Sequence, residues 1–186
     1  MILTFKIFEN MENDYIKIKG TIQFDPVNYT RKHQKQSSWK KIAIVKLDGD
    51  LCQYYSWLVY KRYGLKLNKP IRNAHISFIN DSKRDIAKGL DVDEKIVDVL
   101  WENFKNKWDN KEIDIYLNPD IRSNSEHWWL NVPEEKRKEL HDIRKEIGLD
   151  RPFYGLHMTV GYIDNKNIEH SKYITDLLVK FGKEYN

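Results

Sequence analysis

Two stretches of this chain repeat one grammar, and that repeat restricts the possible folds more than any other feature. The first runs strand, helix, Gly64-Leu65, Pro70, then His75-Ile76-Ser77; the second runs strand, helix, Gly148-Leu149, Pro152, then His157-Met158-Thr159. Proline to histidine is five residues in both, 75 − 70 and 157 − 152, whereas glycine to proline is six in one and four in the other. A loop absorbs that difference easily. The chain reads as two β-α-β units, each ending in histidine, a spacer and a hydroxyl.

Strand geometry turns the repeat into chemistry. Side chains two apart on a strand share a face, about 6.5–7 Å from one another along it. His75 therefore lies with Ser77, and His157 with Thr159, while Ile76 and Met158 point the other way into a layer of helices. Packed about a pseudo-twofold axis, the units bring two imidazoles and two hydroxyls to one cleft. That set suits a phosphodiester: hydroxyls hold the non-bridging oxygens, and imidazoles flank the attacking and leaving oxygens. An unperturbed histidine pKa of about 6.5 lets one ring act as base and the other as acid near neutrality. The pair predicts a bell-shaped pH–rate profile and no metal cofactor.

The remaining elements follow from periodicity and punctuation. Tyr15 to Ile22 and Lys41 to Leu47 alternate as strands, with a polar, basic loop between Asn28 and Lys40. Asp50 caps a helix that ends at Gly64, with Leu51, Tyr54, Tyr55, Leu58 and Val59 as its apolar face. His75 to Ile79 is a strand; Asp93 to Trp108 is a helix with a stripe of Ile96, Leu100 and Phe104. Glu112 to Leu117 and His127 to Val132 are strands, and Pro133 opens a helix whose stripe is Leu140, Ile143 and Ile147. Arg144 and Lys145 suit its dipole. Leu156 to Ile163 is a strand, and Tyr173, Leu177 and Phe181 mark a last helix.

Composition narrows the class. At 186 residues the chain makes one domain with a proper core, and no Gly-, Pro- or Ser-rich stretch divides it. Charges of 32 Lys+Arg and 28 Asp+Glu, 32 − 28 = +4, are spread along the chain rather than massed in a nucleic-acid-binding arm. Aromatics at 13% exclude disorder and exceed what a small core needs, so some rings are free to serve a ligand. The lone Cys52, in a helix, reads as a buried, inert thiol. Short apolar runs and the lack of a leader-like start predict a soluble, cytoplasmic protein. Phosphate-cradling glycine loops, HExxH and Gly-x-Ser-x-Gly are missing from the sequence.

The paired motifs His75-Ile76-Ser77 and His157-Met158-Thr159 resemble the signature of the 2H phosphoesterase superfamily, over about residues 41 to 163. The resemblance implies an α+β, bilobed fold: two pseudo-symmetric β-α-β lobes with antiparallel sheets around a central cleft, helices outside, and about residues 1–40 as an N-terminal extension. It also implies metal-independent cleavage of 2′,3′-cyclic phosphates or related RNA-like linkages. His75 and His157 would be the acid–base pair, and Ser77 and Thr159 the phosphate holders. The segment from Tyr54 to Ser77 looks most like phage-encoded members, among them anti-CBASS nucleases that destroy cyclic oligonucleotide signals in the host cytoplasm.

A nucleotide also needs a platform for its base and some positive charge. Tyr154 stands three residues before His157 and Arg72 three before His75; both overlook the expected cleft. Trp39, in Ser37-Ser38-Trp39-Lys40-Lys41, reads equally as a flap ring and as a strand anchor. Of the adjacent Trp128 and Trp129, one must face the core; Trp129, on the face of His127 and Asn131, is the cleft candidate. Trp57, Trp101 and Trp108 read as packing residues, His33, His141 and His170 as solvated, and the acidic run at Asp91 as a helix start. Two rivals to cleavage of a cyclic nucleotide signal are processing of 2′,3′-cyclic RNA ends and a non-catalytic sponge that binds such signals.

Overall fold

The structure is a computed structural model, and it describes residues 11–12, 15–26, 40–70, 72–152 and 155–182. It is a mixed α+β fold built on a curled, half-barrel sheet in which every pairing is antiparallel. The strands are β1 (Met11–Glu12), β2 (Tyr15–Phe24), β3 (Lys40–Leu47), β4 (His75–Ser82), β5 (Glu112–Leu117), β6 (Arg122–Ser123), β7 (His127–Asn131) and β8 (His157–Tyr162). Their order is β1-β2-β3-β4-β8-β7-β6, with β5 on the other edge of β2. Part of the N-terminal extension, β2, is thus an internal strand.

The repeat is visible in that order. Each unit folds as two neighbouring antiparallel strands joined through a helix: β3 and β4 through α1 (Leu51–Tyr63), β7 and β8 through α4 (Lys138–Glu146). The units meet at β4 and β8, paired through one bridge, Ile76 to Met158. An antiparallel pair has a local twofold axis, and here it passes between the spacer residues of the two motifs.

Local rules account for most boundaries. Asp50 caps α1 by accepting the Gln53 N–H (3.2 Å), and Gly64, at φ +68°, ends it by donating to the Tyr60 carbonyl. Gly148 (φ +74°) stops the turn after α4 and lies so close to Gly89 that a Cβ on Gly89 would sit 1.7 Å from the Gly148 carbonyl oxygen. Helix α2 (Lys83–Leu90) was not expected from periodicity. Its signal is a capping box, Ser82 with Asp85, followed by a short apolar face of Ile86, Ala87 and Leu90.

One face of the sheet forms the core. Ile22, Val45, Ile76, Trp128, Leu130 and Met158 pack there with helix residues Val59, Ile86, Trp101, Leu140 and Ile143. The stripe expected for α4 is buried, and that of α1 is buried at Leu51, Tyr55 and Val59 and half-buried at Tyr54 and Leu58. Two others are displaced by one position. Helix α3 (Val97–Trp108) buries Val97 and Trp101, whereas Ile96 falls in a preceding 3₁₀ turn and is exposed. Helix α5 (Ile168–Gly182) buries Ser171 and Ile174 and exposes Tyr173. Both helices carry competing apolar rows, and the sheet surface they meet selects between them. Trp57 is exposed rather than packed, and His141 is buried rather than solvated. Arg144, read as a dipole partner, is buried and ties the units together: it donates to the Phe78 carbonyl (2.6 Å) and to Asp81 (2.9 Å) of β4.

Candidate active site

The other face of β4 and β8 carries the motif side chains. Ile76 and Met158 are fully buried in the core, so alternation turns His75, Ser77, His157 and Thr159 away from it, and all four are half-buried. Continuing the Ile76–Met158 register one residue each way sets His75 opposite Thr159 and Ser77 opposite His157. Each histidine thus faces the hydroxyl residue of the other motif.

Both rings are held alike. His75 Nδ1 lies 2.8 Å from the Asn73 carbonyl oxygen, and His157 Nδ1 lies 2.9 Å from that of Gly155; each carbonyl is two residues upstream. A carbonyl only accepts, so Nδ1 carries the proton in both rings and Nε2 is left for chemistry. Burial, foremost, holds the His75 pKa below the usual histidine value, and the charges of Arg72 and His157 push the same way against the Asn73 hydrogen bond. The shift favours the neutral ring of His75.

Two shallow depressions open over the motifs. One, of about 400 Å³, is lined by Pro70, Arg72, His75, His127, Thr159 and Tyr162. The other, of about 410 Å³, is lined by Asn124, His127, Trp129, Asn131, Gly155, His157 and Thr159. They share His127 and Thr159. A third, of about 280 Å³, continues past His75 and Arg72 to Lys46 and Gln23. Among the residues singled out from sequence, His75, His157, Thr159, Arg72 and Trp129 line this surface. Ser77 shares the strand face but lines none of the three depressions. Trp39, Tyr154 and His33 lie outside the described residues.

Trp129 stands with its ring 6.1 Å from that of His157 at 60°, and its Nε1–H donates to Asn131 Oδ1 (3.0 Å). Its neighbour Trp128 is fully buried, so the pair divides between cleft and core as expected. His127 joins the cleft beside Tyr162, their ring centroids 6.3 Å apart. Tyr162 was missed because strict alternation from His157 turns it toward the core; the register shift between Trp128 and Trp129 breaks that alternation. Lys46 and Gln23 reach the site from β3 and β2, a proximity with no local signal in the sequence. Behind β8, Cys52 Sγ–H donates to the Thr159 carbonyl (3.3 Å), and burial pushes its thiol pKa up to about 12, which makes it inert.

No group of three or more acidic, histidine or cysteine side chains is placed to hold a metal among the described residues. Nor, among those residues, is any helix long and apolar enough to cross a membrane. No family model, curated protein or solved structure matches this chain.

Proposed function

We propose that the protein is a phosphodiesterase that cleaves an RNA-like linkage with His75 and His157 as its acid–base pair and without a metal. The observation that carries this reading is the pairing of the two motifs across the Ile76–Met158 bridge, with each imidazole held through Nδ1 by a carbonyl two residues upstream. Two presented Nε2 atoms, a lowered pKa on one ring and a hydroxyl opposite each histidine are the parts that in-line transfer at phosphorus needs.

His75, held neutral, takes the proton of the attacking 2′-hydroxyl or water at Nε2. The new O–P bond forms as the bond to the leaving oxygen breaks, and His157, protonated, gives that oxygen its proton. Thr159 and Ser77 donate to the non-bridging oxygens as charge builds there. The strands on either side of the β4–β8 junction serve as the two lobes of a 2H-type fold, with the cleft between them.

The substrate class is a cyclic nucleotide or cyclic oligonucleotide signal, in the manner of anti-CBASS nucleases. Two depressions that meet at Thr159 leave room for a nucleotide on each side of the scissile phosphate, more than a 2′,3′-cyclic RNA end requires.

Turnover of 3′,3′- and 2′,3′-cyclic dinucleotides, cyclic trinucleotides and 2′,3′-cyclic mononucleotides in EDTA tests this. Wild type cleaves at least one, and His75→Ala and His157→Ala each lose about 10²–10⁴-fold in kcat. Activity that EDTA abolishes and a divalent metal restores would overturn the reading. Tight binding of a panel member without turnover would replace it with the sponge.

A further inference from the structure

A cavity larger than either depression over the motifs adjoins the cleft. It holds about 580 Å³, lined by α1 on one side and by Lys66, Leu67, Lys69, Pro70, Asn73 and Ala74 of the return segment. That volume falls within the range of small-molecule sites, about 300–1,000 Å³.

Its lining is unusual for the outside of a helix. Trp57 and Tyr60, three residues apart on one face of α1, are 49% and 54% exposed and both line the cavity. Exposed rings of that size in one concave place mark a binding surface better than a packing one. Lys66 and Lys69 line the same cavity, and neither forms an ion pair among the described residues. Among the described residues its one lining carboxylate is Asp50, which accepts the Gln53 N–H and has further acceptor capacity.

We infer that this cavity is a second nucleotide-binding site. The rings take a planar base by stacking, the two ammonium groups take a phosphate, and Asp50 accepts a hydrogen bond from a base amine or sugar hydroxyl. Volume, aromatic face and two lysines without an ion pair among the described residues together select a ligand that is planar at one end and anionic at the other. The site stands without the cleavage proposed above, because it is read by binding alone.

It also adjoins that chemistry. Pro70 lines both this cavity and the cleft, and Asn73, another wall residue, holds His75 through its carbonyl. A nucleotide here is either the second unit of a substrate that crosses Pro70 or a separate effector acting on His75 through Asn73.

Titration calorimetry with 5′-AMP and 5′-GMP, which have no diester to cleave, tests the site, with adenosine as the phosphate-free control. At least one mononucleotide binds. Trp57→Ala and the double variant Lys66→Ala/Lys69→Ala each weaken that event about tenfold or more, or remove it where the cleft supplies a second one; Trp57→Phe restores it. Adenosine binds about tenfold more weakly than AMP. Equal affinity and stoichiometry in wild type and both pocket variants, with thermal melts unchanged, would overturn the inference, as would no binding of either mononucleotide. With a cleaved substrate in hand, a loss in Trp57→Ala confined to dinucleotides identifies the substrate's second unit. A response of 2′,3′-cyclic AMP turnover to added 5′-AMP identifies an effector.

Discussion

The two motifs are equal in sequence pattern and unequal in surroundings. Both histidines are anchored through Nδ1 in the same way, yet around His75 the neighbours are cationic: Arg72 lines the same depression, and Lys46 is its cross-strand partner on β3. Around His157 they are aromatic and amide: the Trp129 ring stands beside it, and Asn131 is its partner on β7. The return segments differ as well. Between glycine and proline the first unit has Leu65 to Lys69, with two lysines, and its Asn68 pairs with Tyr162 at the end of β8; the second has only Leu149 to Arg151. The repeated pattern sets the two histidines in one symmetric frame, and unequal neighbours give each ring different surroundings. Burial first, and the Arg72 charge with it, lowers the His75 pKa, whereas the Trp129 ring stands beside His157.

The largest effect after loss of a histidine is expected at the hydroxyls, and it should be unequal. Thr159 lines both main depressions and Ser77 neither, so Thr159→Ala should lower kcat by about 10²–10³-fold, the scale for a lost donor to a developing oxyanion. Ser77→Ala should cost less, and Thr159→Ser should keep most of the rate. Equal losses in single-turnover kinetics would restore the symmetry the motifs suggest.

Trp129→Ala comes next. Losing a stacking face should raise KM about tenfold with a smaller change in kcat. Loss confined to kcat would mean that the ring positions His157 instead.

Arg72→Gln gives the smallest change and the most pointed one. The arginine charge disfavours the protonated His75 ring, so removing it raises the His75 pKa. A base must be neutral, so on the acidic side wild-type activity falls as the pH drops through the lowered His75 value, and in Arg72→Gln that acidic limb of kcat/KM moves to higher pH. An NMR titration of the His75 ring should move with it. A shift in the basic limb instead would make His75 the acid.

Much of this was legible along the chain because it rests on short-range rules. Asp50 and Gly64 delimit α1, Gly148 follows α4, and strand alternation sends Ile76 and Met158 inward and the histidines outward, whatever else the chain does. Trp128 and Trp129 divide for the same reason. Residues two apart share a face only while the strand is regular, which is why Tyr162, beyond the register shift at Trp128 and Trp129, was not picked out. The displaced stripes of α3 and α5 fail for a related reason: a helix with two apolar rows does not state which one meets the sheet.

By itself, then, the sequence determined the duplicated unit, its caps and the outward faces of both motifs, since each depends on a few residues and fixed backbone periods. Only tertiary structure decided that β4 pairs with β8, that Lys46, His127 and Tyr162 join the histidines, that Arg144 crosses into the other unit, and that Trp57 stays outside. Those outcomes depend on which surfaces meet and how much of each side chain is then removed from water. No local pattern encodes that, because the partners lie tens of residues apart.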